Sequence, residues 1–181
     1  LMIPLGILAL SGAAAAGAYE LIESQVLSSS ASSVSFTSIP QDFKHLQIRY
    51  TATNFNSGFN YMTMRFNGSS AAQYMGHFLR GNGSSVSSGA NATSDTSMNL
   101  NFSVADDYGT AGTFGAGIID VLDYNATSKN KTVRALYGYL TNSYNVALWS
   151  GLWANTSAVT SLTFYSAATF KTNTRFSLYG I

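Results

Sequence analysis

The sequence predicts an all-β domain, an antiparallel two-sheet sandwich of jelly-roll-like form, preceded by an extended apolar N-terminal arm. Three observations point there. About ten short runs of strand character recur at spacings of roughly 10 to 18 residues, separated by turns rich in Gly, Asn and Ser. No amphipathic helix of normal length is written into the chain. Finally, Phe114 to Tyr124 (FGAGIIDVLDY) is the most apolar continuous run outside the N-terminus. It is short, rich in β-branched residues and opened by Gly115 and Gly117, so it reads as a central strand buried on both faces.

The other elements follow in order. Glu20 to Leu27 mixes apolar and polar residues and reads as an outer strand, with a Ser-rich linker from Ser28 to Ser33. Val34 to Phe36 leads into Ile39-Pro40, where proline stops the ladder. In His45 to Thr51, Leu46, Ile48 and Tyr50 face one way and His45, Gln47 and Arg49 the other. Tyr61 to Phe66 repeats the pattern with Met62, Met64 and Phe66, and Asn67-Gly68 signals a hairpin. Tyr74 to Leu79 is a strand ended by Gly81-Asn82-Gly83, and Ser84 to Ser97 reads as a polar loop. Met98, Leu100, Phe102 and Val104 alternate with polar residues. After the central run come strands at Thr132 to Leu140, Asn145 to Trp149, Val159 to Tyr165 and Arg175 to Ile181.

The 181 residues suit one domain, 19–181, large enough to bury a core without staples. No cysteine is present, so disulfides and thiolate metal sites are excluded. Charged residues make up only 9% of the chain and the net charge is +1. Such a surface has no stripe of cations to neutralise phosphates, which argues against nucleic acid as a partner. It also lacks the charge that keeps free proteins apart, and suits a protein that lives assembled.

Residues 1–18 (LMIPLGILALSGAAAAGA) carry no charge. A secretory signal would place Lys or Arg before the apolar part, and here Pro4, Gly6, Gly12 and Gly17 interrupt it. A membrane-spanning helix needs about 20 mostly large apolar residues, whereas the second half here is Ala and Gly. The expectation is an anchor arm that buries Ile3, Leu5, Ile7, Leu8 and Leu10 against a neighbouring subunit, making these the expected assembly interface.

The succession HLQIRY (45–50), MRFNGSS (64–70), GNGSS (81–85), FGAGIIDVLDY (114–124), KTVRALYGY (131–139), SGLWANTSAVTSLTF (150–164) and FSLYGI (176–181), with the opening MIPLGILA, resembles a family of virion proteins of tailed phages common in aquatic and marine phage genomes. The resemblance covers nearly the whole chain and is carried by order and spacing. It implies a non-enzymatic structural component on the particle exterior, of a tail or neck fibre or a capsid decoration. Its partners would be other virion proteins and copies of itself, with host surface glycan as a further partner. Projecting fibres commonly gather such domains about an axis, which suggests three copies.

The residues that could carry chemistry have ordinary alternatives. His45 and His77 come with no metalloprotease, phosphate-loop or nucleophile-elbow motif. Asp106-Asp107 and the pair Asp120/Asp123 could serve glycoside hydrolysis or calcium. Asp106-Asp107-Tyr108-Gly109 is also an ordinary turn, and the ligand spacing of known calcium loops is missing. Trp149, Trp153, Tyr137, Tyr139 and Tyr144 could stack on sugars; packing is the commoner use and is expected for both Trp residues, while exposed tyrosines in loops stay candidates for host glycan contact. Asn-x-Ser/Thr triplets at Asn67, Asn82, Asn91, Asn125 and Asn155 read as turn chemistry. No catalytic, cofactor-binding or metal-ligating residue is assigned; the expected site is an interface.

Overall fold

The computed structural model describes residues 18–55, 61–91, 94–101, 103–106, 112–140 and 144–181. The expected anchor residues Ile3, Leu5, Ile7, Leu8 and Leu10 lie outside these, as do Phe102 and Asp107. Among the described residues there is no helix. The strands are β1 (Glu20–Val26), β2 (Ala31–Phe36), β3 (Leu46–Asn54), β4 (Met62–Phe66), β5 (Tyr74–Gly81), β6 (Val86–Ala90), β7 (Met98–Leu100), β8 (Ala105–Asp106), β9 (Gly115–Leu122), β10 (Lys131–Leu140), β11 (Tyr144–Trp153), β12 (Leu162–Phe170) and β13 (Arg175–Gly180).

The all-β, antiparallel part of the expectation holds. The strands hydrogen-bond as one continuous, strongly curled half-barrel sheet. A long run follows the order β1-β13-β3-β9-β10-β11-β5-β6, antiparallel throughout. A shorter run follows β2-β12-β4-β7. The two runs join where Phe170 of β12 pairs with Asn54 at the far end of β3. Only the short β8 pairs parallel, beside that same end of β3.

The curl brings inner faces together over an aromatic core. Phe164 of β12 stacks on Phe176 of β13 at 4.8 Å between centroids, and Phe66 of β4 meets Trp153 of β11 at 5.3 Å. Tyr50 stacks on Phe176 at 5.5 Å. The period-two alternation of the sequence decides who enters: Leu46, Ile48 and Tyr50 on β3, and Met62, Met64 and Phe66 on β4, are all buried. Both Trp149 and Trp153 are buried, as packing required.

Two glycine contacts show how tightly the rings fit. Tyr50 and Tyr137 flank Gly117 on adjacent strands, and a Cβ there would lie 2.6 Å from the Tyr50 hydroxyl and 2.6 Å from Tyr137 Cβ. The Trp149 indole crosses Gly151 and Gly76, where a Cβ would lie 2.0 and 2.3 Å from ring atoms. The glycines that open the central run are therefore vacated space for tyrosines.

Several sequence expectations are corrected. β9 is central but not buried on both faces: Ile119 and Val121 enter the core, while Ile118 is 42% exposed. The polar stretch after Gly83 is not all loop, since Val86–Ala90 forms β6 on backbone pairing to β5. The linker before Val34 is shorter than expected, because β2 already begins at Ala31. Asn67 and Gly68 do take positive φ, 51° and 66°, and Ser69 N–H closes the turn on Phe66 O at 2.9 Å. The turn joins no hairpin, however: β4 pairs with β12 and β7, whereas β5 pairs with β11 and β6. β7 stops at Leu100, whose carbonyl accepts the buried Ser103 hydroxyl at 2.6 Å. Finally, β12 starts at Leu162, after Val159 N–H has bonded Tyr124 O at 2.8 Å.

Candidate interaction surface

Registry across the long run defines its outer face. One cross-strand row reads Ile118, Leu136, Leu148, Leu79 and Ser88, on β9, β10, β11, β5 and β6. The next outward-facing row reads Ala116, Gly138, Val146, Gly81 and Val86. No position in either row is charged. Leu136, Leu148, Leu79 and Val146 are each between 50 and 57% exposed, and Val86 is 74% exposed. Single exposed apolar residues are ordinary; a contiguous patch spanning five strands marks a contact surface. Two shallow depressions lie in it. One of about 390 Å³ is bounded by Gln47, Ile118, Asp120, Arg134, Leu136 and Leu148. Another of about 290 Å³ lies among Leu79, Val86, Leu136, Val146 and Leu148.

A polar ladder borders the patch. Arg49 Nε donates to Gln47 Oε1 at 2.8 Å, and Gln47 Nε2 to Asp120 Oδ1 at 2.9 Å. Arg134 Nε donates to Asp120 Oδ2 at 2.9 Å. The Arg49 guanidinium also lies between the rings of Tyr19 and Tyr179, 4.7 and 4.6 Å from their centroids. Cation–π contact and hydrogen bonding together hold this chain of side chains in one geometry.

Of the carboxylates singled out in the sequence, Asp120 and Asp123 are used structurally. Asp120 has both oxygens engaged by this ladder. Asp123, at φ 48°, accepts from Lys129 Nζ at 2.5 Å, while its N–H donates to His45 Nδ1 at 2.9 Å. The Lys129 hydrogen bond keeps the Asp123 carboxyl below the ordinary aspartate range. His77 is exposed on β5, in the row of Arg134 and Ser150 and away from His45. Among the described residues no three His, Asp or Glu side chains gather closely enough to hold a metal ion.

The five Asn-x-Ser/Thr asparagines named above serve turns or loops. Asn67 Oδ1 accepts from the N–H groups of Thr160 at 2.8 Å and Ser161 at 3.1 Å, and Asn67 Nδ2 donates to Ala158 O at 2.8 Å. Asn82 and Asn155 accept from backbone N–H groups two residues on. Asn125 donates to Gln41 O and Phe43 O, and Asn91 to Asn99 O.

Sequence reading missed one buried cation. Lys131 is fully buried, and its Nζ donates to the carbonyls of Ala126 at 2.5 Å, Lys129 at 2.9 Å and Thr156 at 3.1 Å. Burial, helped by nearby Lys129, lowers its pKa from the usual lysine value. The three carbonyls satisfy all three ammonium donors and tie the turn after β9 to the loop after β11. No signal in the sequence separates Lys131 from an ordinary surface lysine.

Comparison with protein-family models, with curated proteins and with solved structures finds no match to this chain.

Proposed function

We propose that this protein is a phage virion structural protein: a domain of a tail or neck fibre on the particle exterior, held by its N-terminal arm and by contacts with copies of itself and other virion proteins. The observation that carries this reading is the uncharged apolar patch across β9, β10, β11, β5 and β6. An isolated protein with 9% charged residues and such a face would tend to associate, and association is the use the composition favours. The tail-phage location comes from the sequence resemblance. The curled sheet is read as a jelly-roll-like sandwich whose long and short runs form its two layers. In support, among the described residues the runs are joined by the Phe170–Asn54 pairing and meet through aromatic rings.

Capsid decoration is the nearest alternative and would use the same face. A glycan-binding module would need exposed rings grouped beside polar side chains. Of the five rings considered for sugars, Trp149, Trp153, Tyr137 and Tyr139 are buried and Tyr144 alone is exposed, while Tyr19 and Tyr179 are occupied by Arg49, which favours assembly over sugar binding. Mass spectrometry of purified virions of the encoding phage tests the reading. The chain should be present at a stoichiometry comparable to known tail or neck proteins; its absence from clean particles overturns the proposal.

A further inference from the structure

We infer that the apolar patch is covered by the same patch of a second copy, in a two-fold, face-to-face pairing of the long sheet runs. The inference rests on the assembly reading above and names the partner of that surface.

Four features select a second copy. The patch is a broad open sheet face, and its natural complement is another sheet face packed about 10 Å away. Six exposed aliphatic side chains, Leu79, Val86, Ile118, Leu136, Val146 and Leu148, present on the order of 500 Å² of apolar surface. A stable pair needs about 800 Å² per partner, and the bordering row of Asp120, Arg134, Ser150 and His77 can supply the remainder as a polar rim. Charge permits self-pairing: the rim's Asp120 and Arg134 are already bonded to each other, so a two-fold sets no uncompensated charge against its own image. Relief is self-complementary as well. Val146 stands between Gly138 and Gly81, which carry no side chain, and beside the depression of about 290 Å³. A surface bearing its own ridge next to its own hollow fits a copy of itself turned by a half-rotation.

The test uses the full chain. Sedimentation equilibrium at concentrations from roughly 1 to 100 µM should give a two-copy mass. The double change Leu136→Asp/Leu148→Asp should weaken association by about 100-fold or more, while leaving the melting temperature within a few degrees. As the chain has no cysteine, Val146→Cys gives one thiol per copy, and a thiol–thiol cross-linker of about 10 Å reach, the spacing of packed sheet faces, should join the two copies. A one-copy mass throughout overturns the inference, as does association that survives the double aspartate change. A three-copy assembly that forms no such link also overturns it. So does a Val146→Cys/Leu8→Cys chain that links position 146 to position 8 instead, which would give the patch to the N-terminal arm. Virions lacking the protein would remove the fibre reading alone and leave a measured dimer standing.

Discussion

Leu136 and Leu148 stand directly opposite each other in the β10–β11 ladder, and both point away from the core, 50 and 55% exposed. Their neighbours on the same strands, Ala135, Tyr137, Ala147 and Trp149, fill the interior. Around this pair both faces of the two strands are therefore apolar, which a sheet with one solvated face does not require.

The two faces should respond differently to the same chemistry. Ile118 and Ile119 are sequence neighbours on opposite faces of β9. Ile118→Thr should change stability by no more than about 0.5 kcal/mol at a concentration too low for association. Ile119→Thr should cost about 2–4 kcal/mol, because it leaves a void and a hydroxyl in the core. Urea unfolding of both variants checks this; similar costs would mean that the outer face is covered within the single copy.

Lys131 should behave as a loop staple. Lys131→Ala removes three charge-assisted hydrogen bonds and strands buried carbonyls, at about 2–4 kcal/mol. Lys131→Met keeps the packing and relieves the buried charge, so it should lose less. Denaturant midpoints at constant m-value measure the difference, and a neutral Lys131→Ala would contradict the staple.

Asn67 does two separable jobs. Its positive φ disfavours most side chains, and its amide clasps the 158–161 loop. Asn67→Gly keeps the conformation and loses the clasp, at about 1–2 kcal/mol. Asn67→Ala loses both and should be worse by about 1 kcal/mol. Equal stability of the glycine variant and the parent would leave the clasp without effect.

Asp123 contributes to the acid side of the stability curve. Its carboxyl is held below the unfolded value near 3.8, first by the Lys129 hydrogen bond. A depressed folded pKa means that the unfolded chain binds the proton first as pH falls. The contribution is present above the unfolded value and is lost as pH drops through the folded one, in a window beginning near pH 4 and extending below it. Melting temperatures between pH 2 and 6 should fall less steeply for Asp123→Asn than for the parent chain. Parallel curves would contradict the linkage.

Much of this architecture is readable in the chain, and the unreadable parts share a cause. β3 and β4 announce themselves because Leu46, Ile48 and Tyr50, and then Met62, Met64 and Phe66, alternate with polar residues. β6 is silent: Val86-Ser-Ser-Gly-Ala has one large apolar residue and is held by its ladder with β5. Asn67-Gly68 reads correctly as a turn, but the partners of Asn67 lie more than 90 residues away, so its destination is hidden. The patch is equally hidden. In KTVRALYGYL, Val133, Ala135 and Tyr137 alternate with Thr132, Arg134 and Leu136, and nothing marks Leu136 as outward until register sets it beside Leu148 and Ile118. Asp120 looked available for chemistry because the residues that occupy it, Gln47 and Arg134, sit on two other strands.

The central claim is that the outer face of β9, β10, β11 and β5 is covered in the assembled protein. Hydroxyl-radical footprinting of the full chain at about 1 and 100 µM tests it most directly, since association is governed by mass action. Oxidation of Leu79, Leu136, Val146 and Leu148 should fall as concentration rises, while that of the distant exposed Phe55 stays constant. Equal oxidation of the four patch residues at both concentrations, in a sample shown to be assembled, would contradict the account.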